Sequence, residues 1–171
     1  AVLVGAPSKT QAVSLSLSEA YRVRSTRVSE LPLGGVAIAE RHEARGGEDE
    51  RVLHKADQGC RFFITQAVYS VTASKNLLSD LHYHCTAAGR QVPPILVTLS
   101  PCGSKKTLDF MAWLGVSVPR WLQNDLLHAY DILEKSIELS VQTFSELYDF
   151  AREKQISLGC NVESVSLNKA E

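Results

Sequence analysis

The sequence lacks a long apolar run and has no excess of charge of one sign. No stretch approaches the roughly 20 consecutive apolar residues that a membrane-spanning helix needs. Lysine and arginine number 18, and aspartate and glutamate number 19, which gives a net charge of −1. Proteins that bind nucleic acid usually cluster their basic residues. We therefore expect this chain to bind neither a membrane nor a nucleic acid.

Cysteine is also scarce. Cys60, Cys85, Cys102 and Cys160 are too few and too dispersed for a disulfide scaffold. The chain opens directly on the strand-like residues AVLVGAP, without the pattern of a signal peptide. These two features predict a reducing, cytoplasmic compartment.

The sequence does contain a repeated alternation of apolar runs and helical patterns. Five runs are apolar on both faces, as is typical of covered parallel strands, and they lie at 1–7, 34–39, 61–66, 94–100 and 158–165. Between them, helical patterns occupy 48–58, 72–88 and 107–114, and Ser16 or Ser18 is expected to cap an earlier helix. The clearest helix has apolar residues at three- and four-residue steps, at Leu133, Ile137, Val141, Phe144, Tyr148 and Ala151.

This alternation predicts parallel βα units within a single domain that covers residues 1–171. Two folds share the pattern. Five strands complete a doubly wound, flavodoxin-like sheet, whereas they form only part of a (β/α)8 TIM barrel. Periodicity does not distinguish the two.

In both folds, functional groups gather where strands end. His42 follows the second run. Its alternative interpretations are a proton carrier, a cofactor contact and a solvated loop histidine. Gln66 ends the third run, and its amide suits a pterin or nicotinamide edge as well as a loop backbone. Lys55 lies on a predicted helix, where a surface lysine is the usual interpretation.

Three other patterns predict little. The segment GAPSKT at 5–10 lacks the glycine spacing of a phosphate loop. His82 and His84 would point to nearly opposite faces of a helix, so HYHC does not predict a metal site. Cys102 follows the fourth run, but the sequence identifies no base that would activate its thiol.

The stretch GGVAIAERH, followed by a helix and by HKADQGCRFFITQ, resembles the methylenetetrahydrofolate reductase family. That family has a P-E-x-H-like loop, then a helix and K-x-D-x-G-A-x-x-x-I-T-Q. The matching residues are Glu40, His42, Lys55, Asp57, Gly59, Ile64, Thr65 and Gln66. Val118, Pro119 and Trp121 match a Val/Ile-Pro-x-Trp segment further along, and NVESVS at 161–166 is similar to short actinobacterial-type members.

The resemblance implies a (β/α)8 barrel with FAD and folate at its C-terminal face, and with NAD(P)H as the electron donor. The five runs would be its fourth to eighth strands. His42 and Lys55 take the places of flavin contacts, with Glu48 a looser candidate. Gly5 matches the glycine of an R-G-D turn near the flavin, and Gln66 takes the place of a residue that touches folate or nicotinamide.

The chain also departs from the family pattern. The catalytic glutamate of the family lies on its first strand, so no catalytic residue is expected within this chain. Ala6 replaces the aspartate of R-G-D, and Ile38 replaces the tyrosine of Y-P-E-x-H. The ending LGCNVESVS replaces H-F-Y-T-L-N-R. Three strands would be missing, which predicts that residues 1–171 are a fragment of a longer polypeptide.

The resemblance therefore implies an oxidoreductase that reduces 5,10-methylenetetrahydrofolate to 5-methyltetrahydrofolate with NAD(P)H, with or without FAD. One alternative is a non-catalytic barrel of the same ancestry that binds folate or another pterin. The other is an unrelated flavodoxin-like domain. The sequence predicts no metal site, and it leaves both a monomer and a homo-oligomer open.

Overall fold

The computed structural model describes residues 1–5 and 13–165, which form an α/β fold around a parallel sheet. Its strands are β1 (Leu33–Ala37), β2 (Cys60–Ala67), β3 (Ile95–Leu99) and β4 (Leu158–Val162). Its helices are α1 (Leu17–Arg27), α2 (Ala39–Arg45), α3 (Glu48–Asp57), α4 (Val71–Ala87), α5 (Lys105–Trp113), α6 (Arg120–Leu127) and α7 (Ile132–Glu153). No helix in the described ranges is both long enough and apolar enough to cross a membrane.

The four strands lie side by side in their order along the chain, β1-β2-β3-β4, and every neighbouring pair is parallel. A flavodoxin-like sheet has a different order, because its first strand lies between later ones and the winding reverses there. A sequential parallel order is that of consecutive units of a (β/α)8 barrel.

The first predicted strand is reduced to a single bridge. Val2 pairs in parallel with Gly34, and the Leu3 amide donates to the Gly34 carbonyl oxygen at 3.3 Å. Residues 1–5 therefore run beside β1 at the expected place, but they do not form a regular strand. The rest of that predicted run, 6–7, lies outside the described residues.

The two faces of the sheet differ in how they are covered. On one face, Leu33, Phe63, Ile95 and Val97 are buried in a core with apolar residues of α3, α4 and α7, among them Val52, Leu77, Leu81, Leu147 and Ala151. Val36, Ile64 and Leu96, which are in register across the strands, are only half-buried and belong to neither apolar core cluster. We call this second surface, formed by Val36, Phe62, Ile64 and Leu96, the open face.

Several predicted helix ends are confirmed. Ser16 caps α1, where its side chain and that of Glu19 form a reciprocal capping box. Ser70 caps α4 by accepting from the Ala73 amide at 3.2 Å. Gly89 follows α4 with φ of 62°, a left-handed conformation that glycine adopts without strain.

The structure differs from the sequence analysis at three places. Glu40 to His42 do not form a strand-end loop, because they lie in the helix α2. Arg120–Leu127 is a helix that the sequence did not indicate. Of the apolar stripe on α7, Ile137, Val141 and Tyr148 are exposed, whereas Phe144 and Ala151 contact the core, so periodicity identified the helix but only part of the face that it buries.

Candidate functional site

Polar groups without described partners follow three consecutive strands at one edge of the sheet. Glu40 follows β1, Gln66 ends β2 and Ser100 follows β3. The Ser100 hydroxyl is buried and has no hydrogen-bond partner in the structure. Because the carboxyl ends of parallel strands meet at the same edge, these groups belong to the edge where α/β proteins bind ligands.

Gln66 is half-buried between the buried neighbours Thr65 and Ala67. Among residues 1–5 and 13–165, none forms a hydrogen bond with its amide group. An amide side chain offers two donors and an acceptor. The donors and the acceptor of the Gln66 amide are therefore available at the carboxyl end of β2, as expected of a ligand contact.

A network of side chains fixes this edge next to Gln66. The register of β2 and β3 shifts between Ile64 and Ala67, as in a β-bulge. The Thr65 hydroxyl accepts from the Thr98 amide at 2.9 Å, and the Thr98 hydroxyl donates to the Thr65 carbonyl oxygen at 2.7 Å. Asn161 of β4 donates to the Thr98 hydroxyl at 3.4 Å. Side chains thus join β2, β3 and β4 near the carboxyl ends of these strands.

Glu40 is a buried carboxylate without a partner. Neither of its oxygens is accessible, and neither forms a hydrogen bond in the described structure. Burial raises the pKa of Glu40 above its ordinary value, against a smaller opposing effect of its own backbone, and the like charge of Glu43 raises it further. Such a group is unusual in a folded protein and needs a specific explanation.

His42 lies on α2 and is buried, with both ring nitrogens in contact with protein groups. The Glu48 amide donates to Nδ1 at 3.3 Å, and Nε2 lies 2.9 Å from an Asp80 carboxylate oxygen. If Nδ1 is the acceptor, Nε2 carries a proton and donates it to Asp80. The histidine therefore ties α2 to α3 and α4 rather than projecting from a solvated loop.

Glu48 is fully buried at the start of α3, where it is the acceptor for several donors. Arg41 donates to its two oxygens at 2.7 Å from Nε and 2.6 Å from Nη2. The Ile38 amide donates to Oε1 at 3.2 Å, and Arg51 lies 3.3 Å from Oε2. This bidentate pair links α2 and α3 to the end of β1.

Asp49 joins the same helices on the side of a cleft of about 600 Å³. Its carboxylate lies 2.6 Å from His84 Nδ1 and 3.5 Å from His42 Nδ1. Asp80 also lines the cleft. Although histidine and carboxylate groups converge here, no set of three such groups in the described part of the chain could hold a metal ion. We interpret the cluster as a polar junction between α2, α3 and α4.

Lys55 is half-buried and donates from Nζ to the Val36 carbonyl oxygen at 2.6 Å. Burial lowers the pKa of Lys55, while the nearby Glu48 carboxylate acts in the opposite direction. Its side chain lies on the covered face of the sheet, since a Cβ added at Gly35 would fall 3.4 Å from Lys55 Cδ. The lysine therefore connects α3 to β1.

These placements do not fit the flavin contacts that the resemblance implies. His42, Glu48 and Lys55 lie together on the side of the helices, and each is already bonded to protein groups there. A Cβ at Gly5 would meet only Leu17 Cδ2 within 4 Å, at 3.8 Å, so no close approach in this structure requires glycine there. Ala6 lies outside the described residues. FAD binding remains a prediction based on the resemblance alone.

The partners of these residues are not apparent from the sequence. Arg41, Asp49, Asp80 and His84 complete the contacts of His42 and Glu48, but they come from three different helices. No spacing in the sequence indicates such pairs, because helix packing creates them. The isolation of Glu40 could not be predicted either, since it depends on burial away from any hydrogen-bond partner in the described residues.

Comparisons with known proteins add one informative likeness. No protein-family model matches the chain, and no curated protein matches it. A solved structure from Clostridium thermocellum is similar, with a TM-score of 0.91 and 52% identity over 99% of this chain. It is described as an uncharacterized protein that binds two copies of 5-methyl-5,6,7,8-tetrahydrofolic acid. The present chain spans 58% of that protein's length.

Proposed function

We propose that this chain forms part of a (β/α)8 barrel that binds a reduced folate at the carboxyl edge of its strands. The observation that carries the proposal is the succession of Glu40, Gln66 and Ser100, whose polar groups lack described partners at three adjacent strand ends. The similarity to a protein that binds 5-methyltetrahydrofolate supports a folate as the ligand.

The open face supports the barrel. Apolar side chains from β1, β2 and β3 form it in register, yet they remain half-buried in these residues. In a closed barrel the same side chains would pack in interior layers, with helices outside the opposite face. The strand order is sequential, as barrel closure requires. The remaining strands would come from a longer polypeptide, since the similar protein is longer than this chain.

We also propose the reaction that the resemblance implies, for the whole protein. A hydride from NAD(P)H would join the methylene carbon of 5,10-methylenetetrahydrofolate, the bond from that carbon to N10 would break, and N10 would take a proton. The product, 5-methyltetrahydrofolate, is the molecule that the similar protein binds. The proton donor would be the glutamate expected outside this chain, and Gln66 would orient the pterin through its amide.

The residues that the resemblance assigns to the flavin bear on whether the hydride passes through FAD. Since His42, Glu48 and Lys55 are bonded within the protein, we assign them a structural role and include no flavin in the proposed step. The same observation favours a second function, namely a barrel that binds reduced folate without catalysis. The similar protein is also described only by what it binds.

Binding is tested first, by titration calorimetry of the full-length protein with 5-methyltetrahydrofolate. Replacing Gln66 with alanine should weaken binding by about 1–3 kcal/mol, or roughly 5- to 150-fold, because a buried partner of the ligand is lost. Gln91→Ala is the matched control, since Gln91 is an exposed glutamine before β3, at the opposite edge of the sheet. Equal affinities of the two variants would exclude Gln66 from the site.

Catalysis is tested separately, by following NADH or NADPH oxidation with methylenetetrahydrofolate. Oxidation that requires the folate supports the reductase. Tight folate binding without turnover supports the non-catalytic barrel. A full-length protein that binds no reduced folate would contradict both proposals.

A further inference from the structure

Glu40 differs from Arg41 and His42, its neighbours on α2, in having no hydrogen-bond partner among the described residues. Arg41 is paired with Glu48, and His42 lies against Asp80, each at hydrogen-bond distance. Both oxygens of the Glu40 carboxylate are inaccessible to solvent, yet they accept no hydrogen bond among the described residues. The nearby charge that acts on it belongs to Glu43 and has the same sign.

A carboxylate in this position opposes folding. Removal from water disfavours the charged form, and a hydrogen bond or an opposite charge normally compensates. No opposite charge acts on Glu40 among the described residues, and its own backbone offsets only part of the cost of burial. A glutamine at this place would have nearly the same shape and no charge to bury. Folding alone therefore does not explain a glutamate here, and a ligand that completes its hydrogen bonds would.

We infer that Glu40 is the carboxylate that recognises the pterin ring of the folate, by accepting hydrogen bonds from ring N3–H and from the 2-amino group. The inference rests on the proposed function. Those two N–H groups are adjacent and point the same way, so they match the two oxygens of one carboxylate as a bidentate pair.

The position of Glu40 in the fold suits this role. It lies three residues beyond β1, and Gln66 lies at the end of the adjacent strand β2, where Ala37 pairs with Thr65. One carboxylate and one amide thus follow neighbouring strand ends, and together they can satisfy the donors and acceptors of a pterin. Because both Glu40 oxygens are inaccessible, folate binding requires the side chain to rearrange at the start of α2.

The first test compares Glu40→Gln with the wild-type full-length protein. We expect this variant to be at least as stable as wild type to urea, and to bind 5-methyltetrahydrofolate about tenfold more weakly or worse. A raised pKa makes the stability contribution of Glu40 complete below the ordinary value and lost as pH rises through the raised value. The relative stability of the variant should therefore be greater at neutral pH than near pH 4.5.

Glu43→Gln is the matched control, because Glu43 is an exposed glutamate on the same helix. It should change folate affinity less than twofold. Calorimetry in buffers of different ionisation enthalpy adds a second readout: binding should release a proton from wild-type protein near the raised pKa of Glu40, and the Glu40→Gln variant should lack this release.

The possible failures are distinguishable. Glu40→Gln with wild-type affinity and proton release overturns the role of Glu40 and leaves the proposed function intact. Loss of stability in this variant shows that the carboxylate has a structural partner, which also overturns the inference. A wild-type protein that binds no reduced folate overturns the proposed function, and the ligand of Glu40 with it.

Discussion

Among single residues, Glu48 has the most extensive contacts of those predicted for the site. Its two oxygens accept from Arg41, from the Ile38 amide and from Arg51, and it is wholly shielded from solvent. The resemblance implies a cofactor contact here, whereas the geometry assigns Glu48 to the junction between α2 and α3. These two roles predict different consequences for the same substitution.

Replacing Glu48 with alanine should destabilise the protein by about 2–3 kcal/mol. The substitution leaves Arg41 and the Ile38 amide without their acceptor. Breaking a fully buried ion pair usually costs more than about 2–3 kcal/mol. We expect the smaller cost because a third of the Arg41 side chain is exposed. Urea denaturation measures the change. Glu50→Ala, at an exposed glutamate of the same helix, should change stability by less than about 0.5 kcal/mol. Equal effects of the two substitutions would contradict the structural role.

At the residue level, the sequence predicted positions correctly where they depend on a strand pattern. Gln66 was predicted at a strand end, and the structure places it there with its amide available. Of the alternatives for His42, only the solvated loop is wrong, because His42 is buried on α2, and Asp80, 38 residues away in the chain, reaches it only through helix packing. Local sequence carries no signal for such a pair.

At the scale of elements, the runs that are apolar on both faces predicted four strands correctly, and serine and glycine located several helix ends. The short helix α2 was missed because its seven residues are mostly charged and show no apolar stripe. The α7 stripe identified a helix but not which of its apolar residues are buried. Periodicity shows that a helix is amphipathic without showing whether another part of the molecule covers its apolar residues. Within the stripe, Phe144 and Ala151 do contact the core, together with Leu147 outside it.

On the open face, a small residue of one strand lies beside a large residue of the next, and this pairing determines how closely their side chains pack. A Cβ at Gly34 would lie 2.6 Å from the Phe62 ring. Gly34→Ala should therefore destabilise the protein by about 1–3 kcal/mol through overpacking. Adding Phe62→Leu should recover part of this loss, because the smaller side chain leaves room for the new methyl group. Thermal unfolding of the single and double variants measures both effects, and a neutral Gly34→Ala would show that the ring moves aside freely.

At the scale of the whole molecule, the open face separates a closed barrel from an open sheet. Ile64 lies on this face and is half-buried in the described residues. In a complete barrel it would point into a packed interior, and a lysine there would place an unpaired charge among apolar side chains. In an open sheet the ammonium group would reach water. The burial of Ile64 in the full-length protein therefore reports directly on closure.

We expect Ile64→Lys in the full-length protein to cost more than about 4 kcal/mol or to prevent folding. Ile137→Lys provides the control, because Ile137 is 47% exposed on α7 and the same change should cost less than about 1 kcal/mol there. Urea denaturation monitored by circular dichroism compares the two variants. If Ile64→Lys is tolerated as well as Ile137→Lys, the open face is solvated in the complete protein, and the barrel is excluded. Folate binding would then require a site that does not depend on strand closure.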